Sequence, residues 1–407
     1  MISYCDKKIL QNLASRLYEI GTSDLMNSRR QRWTNLNDLR SSEPLLLIYP
    51  EGAWRELDNF ITLECQETIY REIELKMRRQ LYQFDNFGDD MVINPYFETP
   101  QFISDSGWGV EIIKNHSEMP TVSWKSEPPI KNLHNDFEKL KKREIFFDEV
   151  KTNLYFNLAC DALGDLMPVY KRSDFFWSAG LTRDIIDLVG LQELMMLMLD
   201  DPDGLHKLIK FMQEDYFHYM DQLENLGLVN ANSACWHIGS GGLGFNSDLP
   251  EFPGSGKLKY TDCWGLIESQ ETVGVSPEMF GEFIWPYQKE LAKRFGFLYY
   301  GCCEPVESRF KYIKEAQNLR GISCSPWSNM EKSAEQYGRN YAIYRKVNPG
   351  NIAVQFCENA LRQDIRKSLD ALGHLNLAII LKDTHTISNQ AERYQRWTTI
   401  AREEMAK

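Results

Sequence analysis

Short apolar runs recur along this chain, and most are separated by stretches whose apolar positions fall at helical spacing. Leu45-Leu46-Leu47-Ile48-Tyr49, bounded by Pro44 and Pro50, has the length and flanks of a strand. Residues 58–86 then carry heavy charge, with Ile61, Leu63, Ile69, Ile73, Leu75, Met77 and Leu81 at helical period. A second strand-like run, Met91-Val92-Ile93-Asn94-Pro95, follows them. The pattern predicts helices over 146–163, 182–199 and 202–226, the last opening with Pro202 at an acidic start, as helix N-termini prefer. Further strands are predicted at Phe175–Ala179, Cys263–Glu268, the run ending at Cys303, Gly321–Cys324, Tyr341–Tyr344 and the run ending at His385. Short strands separated by helices are the signature of a parallel sheet or barrel, so the fold class is α/β.

Two regions depart from that alternation. The first 40 residues are polar, with a stripe of Ile9, Leu13, Leu17 and Ile20 that stops near Gly21, which predicts an N-terminal helical extension ahead of a main body over 41–407. Residues 100–144 carry Pro120, Pro128, Pro129 and the basic run Lys139–Arg143, and read as a surface insertion whose basic run is a solvated helix face.

Composition narrows the function classes. With 407 residues, 43% hydrophobic and 26% charged, the chain can bury a large core, and α/β barrels reach this size as one domain. A net charge of −12 argues against a basic, phosphate-tracking nucleic-acid face. Neither a signal segment nor an apolar run of about 20 residues is visible, so no membrane partner and a cytoplasmic location are expected. Nine scattered cysteines are an odd number and fit a reducing compartment; Cys65 and Cys160 read as small core residues.

The candidate chemistry lies where strands end. Cys302-Cys303-Glu304 and Lys382-Asp383-Thr384-His385 each follow an apolar run, and together offer thiolate, carboxylate and imidazole, a set suited to zinc. Strand alternation would point Cys302 and Cys303 in opposite directions unless the strand has already turned, and would put Asp383 beside His385 as an orienting acceptor. In Ile267-Glu268-Ser269-Gln270-Glu271, alternation separates Glu268 from Glu271, either of which is a metal ligand or an acid/base candidate. Gly239-Ser240-Gly241-Gly242-Leu243-Gly244 formally matches a dinucleotide fingerprint, but a loop and not a helix follows. It reads instead as a flexible loop over a barrel mouth that keeps His237 near the site. Trp108, Trp177, Trp236, Tyr300 and Trp327 are pocket or core residues.

Ser178-Ala179-Gly180-Leu181-Thr182 with Gly190 and Asp201-Pro202, then Val275-Ser276-Pro277-Glu278-Met279-Phe280 through Phe283 and Pro286-Tyr287, then the strand ending at Cys303, carry a resemblance. Over residues 165–400 the chain resembles the uroporphyrinogen decarboxylase superfamily, closer to its cobalamin-linked methyltransferase branch. The resemblance implies a single (β/α)8 TIM barrel. Zinc methyltransferases of that superfamily hold their metal with a His-x-Cys pair and a later cysteine. Cys303 matches the first cysteine, Gly301 stands where the histidine would be, and His385 or a neighbour takes the later place. Cys302, Glu304 or Glu271 would complete the shell. No arginine- and glycine-rich N-terminal segment of the porphyrinogen decarboxylases is present, and Gly52-Ala53-Trp54-Arg55 does not supply one.

The implied function is zinc-dependent methyl transfer between a small methylated ether, amine or thiol and a corrinoid protein. Glu268 and Asp383 would handle the proton, and His237, Gln270, Tyr300 and Trp327 would line the substrate. The alternatives are a decarboxylase or lyase of a small carboxylated substrate and a non-catalytic module that binds a corrinoid carrier. A homo-oligomer is left open.

Overall fold

The computed structural model describes residues 2–116, 124–173, 178–254 and 256–407. Six strands form one parallel sheet: β1 (Leu45–Ile48), β2 (Trp264–Ile267), β3 (Phe297–Tyr300), β4 (Leu319–Cys324), β5 (Ala342–Lys346) and β6 (Asn376–Leu381), in the order β1-β6-β5-β4-β3-β2. Their residues are buried on both faces, except Arg320, which explains why they read as continuous apolar runs and not as alternating ones. Leu46, Leu298, Ile343 and Ile379 pack outward with the helices, such as Pro202–Leu226, Trp285–Ala292 and Glu392–Met405. Leu45, Tyr299, Tyr344 and Ile380 pack inward. A parallel sheet covered outside by helices and filled inside is the architecture of a TIM-like barrel.

No ladder closes the barrel among the described residues. Asp90 N donates to Leu46 O at 2.8 Å, while the Asp90 and Asp89 carboxylates accept from Leu46 N and Ile48 N at 2.8 and 3.0 Å. Side chains thus replace backbone acceptors on the free edge of β1, so Met91–Pro95 is not a strand although it runs where one belongs. At the other edge, Ala179 N donates to Leu266 O at 2.9 Å. The strand expected at Phe175–Ala179 lies mostly outside the described residues, Trp177 included.

The lumen is filled by residues 231–245. His237 and Leu243 form an antiparallel bridge, and the turn between them enters the curve of the sheet. A Cβ at Gly239 would overlap the Tyr299 ring, one at Gly241 would stand 2.9 Å from Ile380 Cγ2, and one at Gly242 would overlap the Tyr344 ring. Gly241 and Gly242 also have φ values of +123° and +113°. The expectation of a flexible loop over the mouth is therefore corrected: residues 238–244 are buried, and their glycines allow a close approach to the strands.

Below the sheet, the helices Tyr4–Gly21 and Asp24–Asn37 seal the interior. Asn37 Nδ2 donates to Leu243 O and Phe245 O at 2.7 Å each, and Tyr344 donates its hydroxyl to Asn37 Oδ1. Two further expectations change. The predicted helix over 182–199 breaks into Thr182–Val189 and Leu191–Asp200 at Gly190, whose φ is +92°. In the basic run, Lys139, Lys141 and Lys142 are exposed as expected, but the helical turn ends at Lys139 and Arg143 is buried against Asp215 at 2.7 Å. Among the described residues, no helix is long and apolar enough to cross a membrane.

Candidate active site

Because every sheet strand is parallel, the ends of β2, β3, β5 and β6 meet at one mouth, where barrel enzymes carry their chemistry. Strand β3 stops at Tyr300, and Gly301 turns the chain at φ +96°. With the strand turned, the two thiols do not diverge: Cys302 Sγ and Cys303 Sγ are 3.6 Å apart. Glu304 fixes this turn. Its two oxygens accept from Cys302 N at 2.8 Å and from Ser269 N, beyond the end of β2, at 2.9 Å.

Cys302 is the best-held sulfur. Ser240, at the tip of the lumen turn, lies 3.0 Å from its Sγ, and Lys382 Nζ donates to that Ser240 hydroxyl at 3.2 Å. Lys346, at the end of β5, is 1% exposed, and its Nζ donates to Cys302 O at 2.5 Å. The hydrogen bond from Cys303, with help from Lys346, Lys382 and Ser240, outweighs burial and lowers the Cys302 thiol to about 6. The same contact with Cys302, together with burial, pushes the Cys303 thiol up. Burial lowers Lys346. It acts on Lys382 too, but Glu51, Asp383 and the two thiols overcome it and raise that lysine.

Opposite these cations stands an acidic group. Burial, then Glu271 and Glu304, raises the Glu268 carboxyl well above its ordinary range. Alternation was expected to separate Glu268 from Glu271, but β2 ends at Ile267 and the chain turns into a 3₁₀ segment over Gln270–Thr272, which lets the two charges interact. Glu271 accepts from Thr182 Oγ1 at 3.0 Å, and Gln270 N donates to Glu268 Oε2 at 2.9 Å.

Alternation fails beyond β6 as well. Asp383 has φ +58°, its N–H donates to Glu51 Oε2 at 2.7 Å, and its carboxylate pairs with Lys382 at 3.3 Å. His385 is exposed, with its ring beside Gly52. Tyr300 points into the helix-facing core, its hydroxyl donating to Gln288 Oε1 at 3.1 Å, and Trp327 is 69% exposed. Trp108 donates from Nε1 to Asp215 at 2.9 Å.

His237 faces a cavity of about 650 Å³ that opens on the unladdered side of the barrel and reaches Trp236, Glu98, Arg172 and Gly239. Its ring sits 3.8 Å from that of Tyr49. The residue is exposed and lines this cavity, and desolvation by the surrounding protein, then Lys382 and Arg172, lowers its pKa to about 3. A smaller pocket, of about 280 Å³, reaches Glu268 and Gln270 from the side of Arg143 and Arg183.

The zinc set expected from the sequence does not converge here. Among the described residues, no group of three His, Cys, Asp or Glu side chains stands ready for an ion. The sulfur spacing would suit two thiolates on one zinc, whose bonds are about 2.3 Å. Yet both Glu304 oxygens are taken by backbone N–H groups, Glu271 is bound to Thr182, and two lysines already supply positive charge. The residues as placed do not fit a zinc shell. Ser240, Lys346 and Lys382 were missed as site residues. The visible signal was an apolar strand ending in Arg345-Lys346.

No protein-family model matches the chain, and no curated protein does. Among solved structures, a methyltransferase from Methanosarcina mazei is similar in fold, with a TM-score of 0.51 over 92% of this chain and 98% of that chain at 12% identity. At that identity the likeness establishes the α/β, TIM-barrel-like fold.

Proposed function

We propose that this chain is a methyl-transfer enzyme acting on a small methylated ether, amine or thiol, with Cys302 as the nucleophile and Glu268 as the acid. The observation that carries this reading is the Cys302 sulfur, bound by Ser240, with Lys382 on that serine and Lys346 on the Cys302 carbonyl, and with a carboxyl raised by burial in the same mouth. The thiolate attacks the methyl carbon, the bond from carbon to the leaving heteroatom breaks, and Glu268 gives that atom its proton. The Cys302 thioether and the demethylated alcohol, amine or thiol are the products of this half-reaction. The Methanosarcina methyltransferase, alike in fold, adds support.

The finer form of this reading passes the methyl group to a corrinoid protein docked at the mouth. A zinc-dependent version requires a third donor to join Cys302 and Cys303. The test is to incubate the purified chain with methyl ethers and methylamines, with and without a corrinoid carrier, and to map methylation by peptide mass spectrometry. Methyl on Cys302, absent in Cys302→Ser, supports the reading. Release of carbon dioxide from a carboxylated substrate with Cys302 unmodified would replace it with the lyase alternative.

A further inference from the structure

We propose that the pocket beside Glu268 is a carboxylate-binding subsite, in which Arg143 and Arg183 grip the acid group of a small organic monoanion. This rests on the proposed reading only for the identity of the rest of the molecule, a methylated group presented to Glu268.

Arg143 is 6% exposed, and its guanidinium packs against the rings of Trp108, Tyr216 and Tyr219 at 4.5–4.9 Å. Its Nε donates to Asp215 Oδ2 at 2.7 Å. Nη2 lies equally close to that oxygen but out of line, and among the described residues this buried donor has no hydrogen-bond acceptor. A buried donor without an acceptor is unfavourable, and Arg143 lines the pocket. A carboxylate oxygen is the acceptor that a guanidinium binds best.

Arg183 lines the same pocket from the first turn of the helix Thr182–Val189. That turn is set by Leu181, a non-glycine residue held at φ +69°. Burial raises both acids in the lining, Asp184 and Glu268, which weakens their opposition to an anion, while the Tyr216 hydroxyl, donating to Asp184 at 2.5 Å, acts the other way. A volume of about 280 Å³ fits a molecule of a few heavy atoms, and Glu268 and Gln270 line the pocket together with the arginines. A carboxylate held by the arginines therefore places the remainder of a short molecule within reach of the acid.

The experiment is calorimetric titration of the full chain at neutral pH with methoxyacetate and with 2-methoxyethanol, its uncharged counterpart. Methoxyacetate should bind at least tenfold more tightly. Arg183→Gln should remove that preference while affinity for the alcohol stays as it was, and Lys293→Gln, a distant surface change, should leave both unchanged. Arg143→Gln should act like Arg183→Gln; if it fails to fold, Arg183→Gln alone carries the test. Equal affinity for acid and alcohol, or an unchanged preference in Arg183→Gln, overturns the subsite. Tight binding of methoxyacetate without methylation of Cys302 would instead count against the methyl-transfer reading and leave the subsite standing.

Discussion

Lys346 reaches from the end of β5 past β4 to donate its ammonium proton to the carbonyl of Cys302 at 2.5 Å. A buried cation is thereby anchored beside the sulfur that ionises most readily. Replacing it with an uncharged chain, Lys346→Met, should raise the Cys302 thiol by roughly 1–3 pH units, the range for loss of a close opposite charge. The check is the pH dependence of iodoacetamide alkylation, with Cys302 and Cys303 resolved by mass spectrometry. In the wild type, alkylation should concentrate on Cys302, with a midpoint near 6. Preferential labelling of Cys303, or a midpoint unmoved in the variant, would show that the lysine does not tune the thiol.

Glu268 gives a second outcome through stability. Its folded pKa lies above the unfolded value, so the folded chain holds an extra proton in the window between them, and stability falls as pH rises through that window. Glu268→Gln removes this loss. The variant should melt at or above the wild-type temperature, with a gap that widens from pH 5 to pH 8, while turnover drops by about 10²–10⁴. A gap that narrows with rising pH would mean the carboxyl is ionised in the folded state.

His237 has the opposite sign. Its folded pKa, near 3, is below the unfolded value, so its stabilising contribution is complete above 6.5 and is lost as pH falls toward 3. His237→Asn should flatten the acid limb of the melting temperature between pH 6.5 and pH 5. An identical slope in the two proteins would place the ring in bulk-like water.

Gly242→Ala tests the lumen turn. A methyl group there meets the Tyr344 ring at a backbone φ of +113°, so a loss of about 2–4 kcal/mol on urea unfolding is expected. Gly227→Ala, with left-handed backbone but open space around it, should cost less.

Metal analysis addresses the donor set directly. Since no three donors converge among the described residues, the purified chain should carry well under one zinc per molecule, and a chelator should leave its melting temperature unchanged. Stoichiometric zinc lost on Cys302→Ser would demand a rearranged mouth.

The strands were legible because both faces of each are buried, so apolar runs of four to six residues stood out between helical patterns. Pro202 likewise marked the start of the long helix Pro202–Leu226. At the site, Glu268, Cys302 and Glu304 were visible as polar residues closing such runs. Their directions were not, because alternation holds only inside a strand, and Gly301 and Asp383 leave it with positive φ. Ser240 and Lys346 were hidden for another reason. They lie 62 and 44 residues from Cys302, and only the curl of the sheet brings them to it.

Asn37 ties the barrel floor to carbonyls 206 and 208 residues later and to Tyr344, 307 residues later. During synthesis, the first two helices emerge long before the groups that complete them exist. Contacts of such separation form late and slowly. The first helix finds Thr68–Asn86 and Glu149–Leu163 early, and Trp33 finds Asp90, but the Asn37 amide must wait for its partners until most of the chain has been made.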